Sequence, residues 1–192
     1  MLPSRSPAGG KERRIVCVHE AGHAFVGLAI GYRTLTAVAV VREVRTGKAL
    51  VGGAYFEKKT ERVRSRQSYL DEIRWRLGGI AAESVVFHTT TGGVGGTDEA
   101  DLAQAADRER LRHIQSPTLS DRDRLRRSMP EVENEVSRIL GDRSERARSI
   151  TKEKRSLIEE LAARLYEEGF VEGTDVLEMI ERSGGWRRAG EP

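Results

Sequence analysis

The segment His19-Glu20-Ala21-Gly22-His23 has the residue types and the spacing of a zinc-dependent hydrolase site. Two histidines four residues apart on a helix project from one face, one turn apart, so both imidazoles can bind one metal ion. Glu20 lies beside them, where a carboxylate can take a proton from a metal-bound water as that water attacks a peptide carbonyl. The sequence therefore predicts Zn²⁺ as cofactor, His19 and His23 as ligands, and Glu20 as the catalytic base.

A catalytic zinc takes a third protein ligand and leaves a fourth position to water. No histidine follows His23 at a short spacing, so the third ligand must be distant in sequence. The residue types alone leave six candidates, which are Glu83, His88, Asp98, Glu99, Asp101 and His113. The alternative is that no metal binds and that His19, Glu20 and His23 are core residues satisfied by hydrogen bonds. Burying two imidazoles and a carboxylate on one helix face without a metal ion is energetically costly.

The motif lies in the middle of a predicted helix over residues 11–30. Apolar residues recur there at spacings of three and four, and Gly31 supplies a stop. Cys17, the only cysteine, excludes an intramolecular disulfide. It lies two residues before His19 and therefore points to a different face, so we expect a small buried apolar residue rather than a ligand.

The next segments predict a small β-structure followed by a second helix. Residues 35–44 are rich in β-branched residues, and after a turn-like segment residues 49–57 form a second extended run, which predicts two strands, arranged as a hairpin. Residues 69–87 have helical periodicity interrupted by Gly78 and Gly79. Two glycines inside a helix cost about 2 kcal/mol relative to alanine, so they indicate a place where another backbone comes very close.

The remaining pattern predicts a mainly α fold with a small β-hairpin or sheet. Further helices are expected over residues 97–114, over 130–168 with Gly141 as a weak point, and from Thr174 to just before Gly184, with a polar connection over 116–127. We expect one domain over 11–183, divided into a metal-site core over 11–127 and C-terminal helices over 128–183. Flexible tails are expected over 1–10 and 184–192.

The charge pattern gives little support to a nucleic-acid-binding protein. The 192 residues include 33 basic and 30 acidic ones, intermixed along the predicted helices, and only 5% are aromatic, although the pI is near 9.2. No run of about 18 apolar residues and no signal peptide is present, so we expect no direct membrane span and a bacterial cytoplasmic location.

Three motifs together resemble one family. They are His19-Glu20-Ala21-Gly22-His23-Ala24, Leu77-Gly78-Gly79-Ile80-Ala81-Ala82-Glu83 and Asp101-Leu102-Ala103-Gln104-Ala105. Their order and approximate spacing resemble the peptidase domain of the FtsH-type membrane proteases, peptidase family M41. The stretch 133–180 is similar to that family's closing helices, so the resemblance covers about residues 13–182.

The resemblance implies an M41-like helical zinc peptidase domain with a defined site. Asp101 is the position that matches the third zinc ligand, and Glu83 matches a glutamate placed behind the ligands or serving as an alternative ligand. The alternative for Glu83 is an ordinary surface carboxylate. Residues 49–56 match an edge strand that would hold an extended peptide by β-addition, whereas the alternative is an interior hairpin strand. The substrate-binding residues implied in that strand are Ala49, Leu50, Val51, Gly52 and Gly53.

The chain departs from the family in lacking membrane segments and the Gly-x4-Gly-Lys-Ser/Thr phosphate loop of the family's ATPase. We therefore expect no ATP hydrolysis by this chain, and expect a zinc metalloendopeptidase acting on peptides or unfolded proteins. The alternative is a catalytically silent or conditional subunit that assembles with a separate AAA ATPase, with a full-length membrane protease, or as a homo-oligomer.

Overall fold

The structure is a computed structural model that describes residues 5–7, 10–41, 43–45, 52–57, 65–88 and 130–185. Within these ranges helices predominate and the strands are short, which confirms the mainly α class with a small sheet. None of the helices described is both long enough and apolar enough to cross a membrane. The predicted helix over 97–114 and the polar connection over 116–127 lie outside the described residues.

The elements are numbered in chain order. The helices are α1 (Gly10–Ala29), α2 (Arg66–Arg76), α3 (Gly78–Phe87), α4 (Pro130–Glu153), α5 (Arg155–Glu168) and α6 (Gly173–Arg182). The strands are β1 (Arg5–Pro7), β2 (Leu35–Val40), β3 (Glu43–Arg45), β4 (Gly52–Phe56) and β5 (Phe170–Glu172).

Helix α1 runs through the centre of the core. Every residue from Ile15 to Gly27 is buried, against α3, α5 and the three-stranded sheet among other elements. A helix buried on all sides is a core helix rather than an amphipathic surface helix. The two histidines and the glutamate of the motif therefore lie in the protein interior, where polar groups require partners.

The main sheet has the antiparallel strand order β4-β2-β5. Val38 pairs with Ala54, and Val40 pairs with Gly52, so the predicted pairing of the two β-rich segments is confirmed for β2 and β4. The second predicted strand began at residue 49, but residues 49–51 lie outside the described residues. Strand β5 was not predicted, because three residues are too few to show an alternating pattern.

A second, two-stranded sheet pairs β1 with β3. The first predicted strand, over 35–44, therefore ends early at Val40, and the chain after it pairs elsewhere. Strand β1 lies inside the segment 1–10 that was expected to be a flexible tail. The Pro-, Ser- and Gly-rich composition does not reveal this strand, because its pairing partner lies about 40 residues away.

Two predicted helices are divided in the structure. The helix expected over 69–87 is interrupted at Leu77, between α2 and α3. The helix expected over 130–168 is interrupted at Lys154, where φ is −100° and ψ is 16°. The amide of Lys154 still bonds the Ile150 carbonyl at 2.9 Å, so the second interruption is a local distortion. Gly141, the expected weak point, lies inside α4, since one glycine costs only about 1 kcal/mol.

Candidate metal centre

His19 and His23 face each other on successive turns of α1. Their Nε2 atoms are 2.9 Å apart, and their ring planes are nearly perpendicular at 82°. Both residues are buried, at 3% and 7% exposure. The spacing in the sequence therefore does bring the two imidazoles together at one point in the interior.

The Nδ1 atoms of both rings are engaged on the opposite side. His23 Nδ1 lies 2.9 Å from the carbonyl oxygen of Trp75, and His19 Nδ1 lies 2.7 Å from Oε1 of Glu83. A carbonyl and a carboxylate only accept hydrogen bonds, so each Nδ1 carries a hydrogen and donates it. In the neutral form of each ring, Nε2 is then an acceptor; these tautomers are assigned from the partners.

This arrangement fits a metal ion. Two acceptor nitrogens that face each other at 2.9 Å repel unless a proton or a metal ion lies between them. Nitrogens bound at about 2.0 to 2.1 Å to one tetrahedral zinc lie about 3.3 Å apart, so the rings need to separate by only a few tenths of an ångström. A hydrogen bond from the second ring nitrogen to a carboxylate or carbonyl is typical of zinc-binding histidines.

The predicted third ligand cannot be placed. Asp101 lies outside the described residues, as do Asp98, Glu99 and His113. Within the part of the chain that the structure describes, no group of three His, Cys, Asp or Glu side chains is placed to hold a metal ion. His88, another candidate, ends α3 in the left-handed conformation with φ of 57°.

Glu83 lies on α3 and is buried, at 1% exposure. It is therefore not an ordinary surface carboxylate. Its contact with His19 is on Nδ1, the ring nitrogen remote from His23. This geometry suits a residue that orients a ligand, and Glu83 acting as an alternative ligand stays a prediction.

Glycines allow α1 and α3 to approach this closely. A Cβ atom added at Gly22 would collide with the carbonyl oxygen of Gly78, and one added at Gly78 would lie 2.8 Å from the Gly22 carbonyl oxygen. A Cβ atom at Gly79 would overlap the imidazole of His19. The predicted close approach of another backbone is confirmed at Gly78, whereas at Gly79 the close neighbour is the His19 side chain. This packing brings Glu83 within reach of His19.

The turn at Leu77 supplies the second orienting group. In an uninterrupted helix the Trp75 carbonyl would accept a hydrogen bond from the amide of residue 79. Helix α2 instead ends at Arg76, and the Trp75 carbonyl accepts from His23 Nδ1. The interruption that the periodicity failed to predict is thus part of the site.

Glu20 lies between α1 and the sheet, beside strand β4. It is buried, and a Cβ atom added at Gly52 would lie 2.7 Å from Glu20 Cγ and 2.9 Å from its Oε1. Of the five predicted substrate-binding residues, Gly52 and Gly53 are described, while Ala49, Leu50 and Val51 are not. Among the described residues, strand β4 is at one end of the strand order of its sheet, and its Gly52 lies next to Glu20.

An aromatic cluster adjoining His23 was missed by the sequence analysis. The ring of Trp75 lies 5.9 Å from that of His23, stacks on Tyr32 at 5.0 Å and contacts Phe56 edge-on at 5.6 Å. Gly27, one turn after His23, could have indicated this cluster, because a glycine inside a helix suggests a close neighbour. A Cβ atom at Gly27 would collide with Phe56. The three rings form an apolar wall on one side of the site.

Cys17 is fully buried in the core, as expected from its position on α1. Burial raises the pKa of its thiol to about 11. The thiol is therefore protonated at neutral pH, which makes it a poor nucleophile and a poor ligand.

Residues 8–112 match the sequence profile of a family described as peptidase family M41. The matched range covers more than half of the chain. It includes His19, Glu20, His23, Glu83, Asp101 and the expected substrate-binding residues 49–53, but not His113.

Three relatives share the name ATP-dependent zinc metalloprotease FtsH. The protein from Acidothermus cellulolyticus is 33% identical over 190 residues, covering 89% of this chain and 28% of that protein. Those from Kosmotoga olearia and Rhodothermus marinus are 30% and 29% identical, covering 93% and 88% of this chain. The chain spans 26 to 30% of the length of these relatives.

Proposed function

Because the chain belongs to peptidase family M41, we propose that it is a zinc-dependent metalloendopeptidase that hydrolyses peptide bonds in peptides or unfolded proteins. The observation that carries this proposal is the pair of Nε2 atoms 2.9 Å apart, each on a ring whose Nδ1 is engaged by an acceptor. Such a pair is arranged for a cation. The names of the relatives, which are zinc metalloproteases, support zinc as that cation.

In the proposed site His19, His23 and Asp101 hold the zinc. When bound, a zinc ion polarises the substrate carbonyl and makes a water molecule more acidic. Glu83 and the Trp75 carbonyl orient the two histidines through their Nδ1 hydrogens. The assignment of Asp101 as third ligand rests on the family motif, because Asp101 lies outside the described residues.

Glu20 is the proposed general base. Its carboxylate would take the proton of the attacking water and return it to the leaving amine. Its burial between α1 and β4 supports this role, since a carboxylate shielded from solvent transfers protons without competition from bulk water.

Strand β4 and the residues before it are the proposed substrate strand. An extended peptide would add to the edge formed by Ala49, Leu50, Val51, Gly52 and Gly53, with backbone hydrogen bonds giving affinity for any sequence. The end position of β4 in its sheet supports this proposal. The absence of a side chain at Gly52 leaves room next to the Glu20 carboxylate.

The alternative is a conditional subunit that works only with a separate AAA ATPase, with a full-length membrane protease, or as a homo-oligomer. This alternative is favoured by the relatives, which are named ATP-dependent and are more than three times longer than this chain. It uses the same zinc site but places substrate delivery in another polypeptide.

The test measures zinc content and hydrolysis of a denatured protein by wild type and Glu20→Gln. We expect one zinc per chain in both, with hydrolysis at least about 100-fold slower in the variant. Glu160→Gln, an exposed substitution on α5, is the matched control. Bound zinc with cleavage that does not depend on Glu20 would contradict the proposal. Activity that appears only after an ATPase is added would select the alternative.

A further inference from the structure

We propose that a surface pocket lined by three helices binds a free α-amino acid with an apolar side chain. The pocket lies where α1, α3 and α5 meet and has a volume of about 270 Å³. That is slightly below the roughly 300 to 1,000 Å³ of pockets that hold drug-sized ligands. Its size therefore suits one amino acid. The inference does not rest on the proposed peptidase function.

The wall of the pocket is predominantly apolar. It is formed by Val18 of α1, Val86 of α3, and Ala162, Ala163 and Tyr166 of α5. The two alanines are small, and this leaves the space that a larger residue on α5 would fill. An aliphatic or aromatic side chain placed there loses its contact with water, which is the main source of affinity for a small ligand.

Charged groups of both signs line the same pocket. They are Arg14 of α1 and Glu159 and Glu167 of α5. Glu159 accepts a hydrogen bond from Arg155 Nε at 3.0 Å, so its carboxylate already has a cationic partner. Among the described residues no ion pair is recorded for Arg14 or Glu167.

Because the pocket offers the cationic Arg14 and the anionic Glu167, it favours a ligand that carries both a negative and a positive charge. The carboxylate of an amino acid would pair with Arg14, and its ammonium group would pair with Glu167, while the side chain fills the apolar space. A fatty acid would add a negative charge beside Glu167, and a simple amine would leave Arg14 without an anion. An apolar amino acid satisfies both groups.

The pocket shares its helices with the metal centre. Val18 precedes His19 on α1, and Val86 follows Glu83 by three residues on α3. A ligand in the pocket therefore contacts the two helices that hold the His19–Glu83 hydrogen bond.

The experiment is a calorimetric titration of the full chain with L-leucine and L-phenylalanine. Leucinamide, which lacks the carboxylate, and 4-methylpentanoate, which lacks the ammonium group, are the comparison ligands. We expect millimolar dissociation constants for the amino acids, as suits so small a ligand. Binding of each comparison ligand should be weaker by about tenfold or more.

Variants at exposed positions locate the binding without disturbing the core. Ala163→Leu fills the pocket and should abolish binding, and Arg14→Gln and Glu167→Gln should each weaken it about tenfold. Glu160→Gln, on the same helix but outside the pocket, should bind as wild type does. Circular dichroism confirms that each variant is folded.

Three results would overturn the inference. They are no heat of binding with the folded wild type, equal affinity for leucine and leucinamide, and undiminished binding by Ala163→Leu. The last result would place the ligand elsewhere, including the metal centre. Because no substrate turnover is measured, none of these results depends on whether the chain is a peptidase.

Discussion

His19 and Glu83 form a buried hydrogen bond of 2.7 Å between helices α1 and α3, across 64 residues of sequence. The carboxylate fixes the hydrogen on Nδ1 and turns Nε2 toward His23. One contact thus determines both the tautomer and the direction of a proposed zinc ligand.

Removing this carboxylate should weaken zinc binding without removing a ligand. We expect Glu83→Ala to lower zinc affinity by about 10- to 100-fold, the range found for groups that orient metal-binding histidines. Glu83→Gln should lose less, because the amide oxygen can still accept the Nδ1 hydrogen. Competition with a chromophoric chelator measures the affinity. A folded Glu83→Ala variant with wild-type affinity would show that the contact does not orient the ligand.

Alanine substitutions at Asp101 and at two neighbouring acidic residues test whether Asp101 is the third ligand. Asp101→Ala should lose most of its zinc at equilibrium, since one of three protein ligands is removed. Asp98→Ala and Glu99→Ala serve as matched controls and should retain one zinc per chain, measured by elemental analysis after dialysis. If zinc is lost instead from one of these two, that residue is the ligand.

Two glycines should respond in opposite ways to alanine. Gly79→Ala forces a methyl group against the His19 ring, so we expect a loss of about 1 to 3 kcal/mol in stability, together with weaker zinc binding. Gly141→Ala has open space around the new methyl group inside α4 and should gain about 0.5 to 1 kcal/mol. Urea denaturation measures both. Equal effects would mean that the α1–α3 contact is looser than the structure shows.

A methyl group at Gly52 should impair hydrolysis but not metal binding. The new Cβ would press on Glu20, and we expect a loss in kcat/KM on the order of ten- to a hundredfold with zinc content unchanged. The comparison variant is Gly53→Ala in the same proposed substrate strand, whose new Cβ would meet the ring of Tyr55, an exposed side chain able to move, rather than Glu20. Similar losses in both variants would mean that the strand, and not its contact with Glu20, is responsible.

Cys17 should be unreactive in the folded protein. It is fully buried, and the raised pKa of about 11 keeps it a thiol at pH 8. A maleimide or disulfide reagent should therefore modify it only at the rate of unfolding, and stoichiometrically in denaturant. Mass spectrometry at timed intervals provides the measurement. Rapid labelling under native conditions would indicate that α1 opens readily.

The part of the site that follows from local periodicity could be predicted from the sequence. The facing of His19 and His23 depends only on the helical repeat, and the close approach at Gly78 and Gly79 depends only on the missing side chains. Glu83 was identified from a motif. Its contact with His19 depends on tertiary packing, which residue spacing does not encode.

The Trp75 carbonyl could not be predicted in this way. A backbone acceptor has no residue type, so no motif contains it, and the apolar pattern continues through Leu77 although the helix does not. Strand β5 and the pairing of β1 with β3 are similarly set by distant partners, across segments too short to show a pattern.

The interruption of the helix at Leu77 leaves the Trp75 carbonyl pointing at His23, although the apolar pattern of the sequence continues through this stretch. Substitutions that strengthen the helix across residues 76–79 would favour one continuous helix, in which the Trp75 carbonyl is shared between the amide of residue 79 and His23 Nδ1. Better helix formers should therefore raise thermal stability at Gly141 without affecting the metal centre, whereas here they should weaken the hydrogen bond that orients His23. We expect zinc affinity to fall when this stretch is made a regular helix.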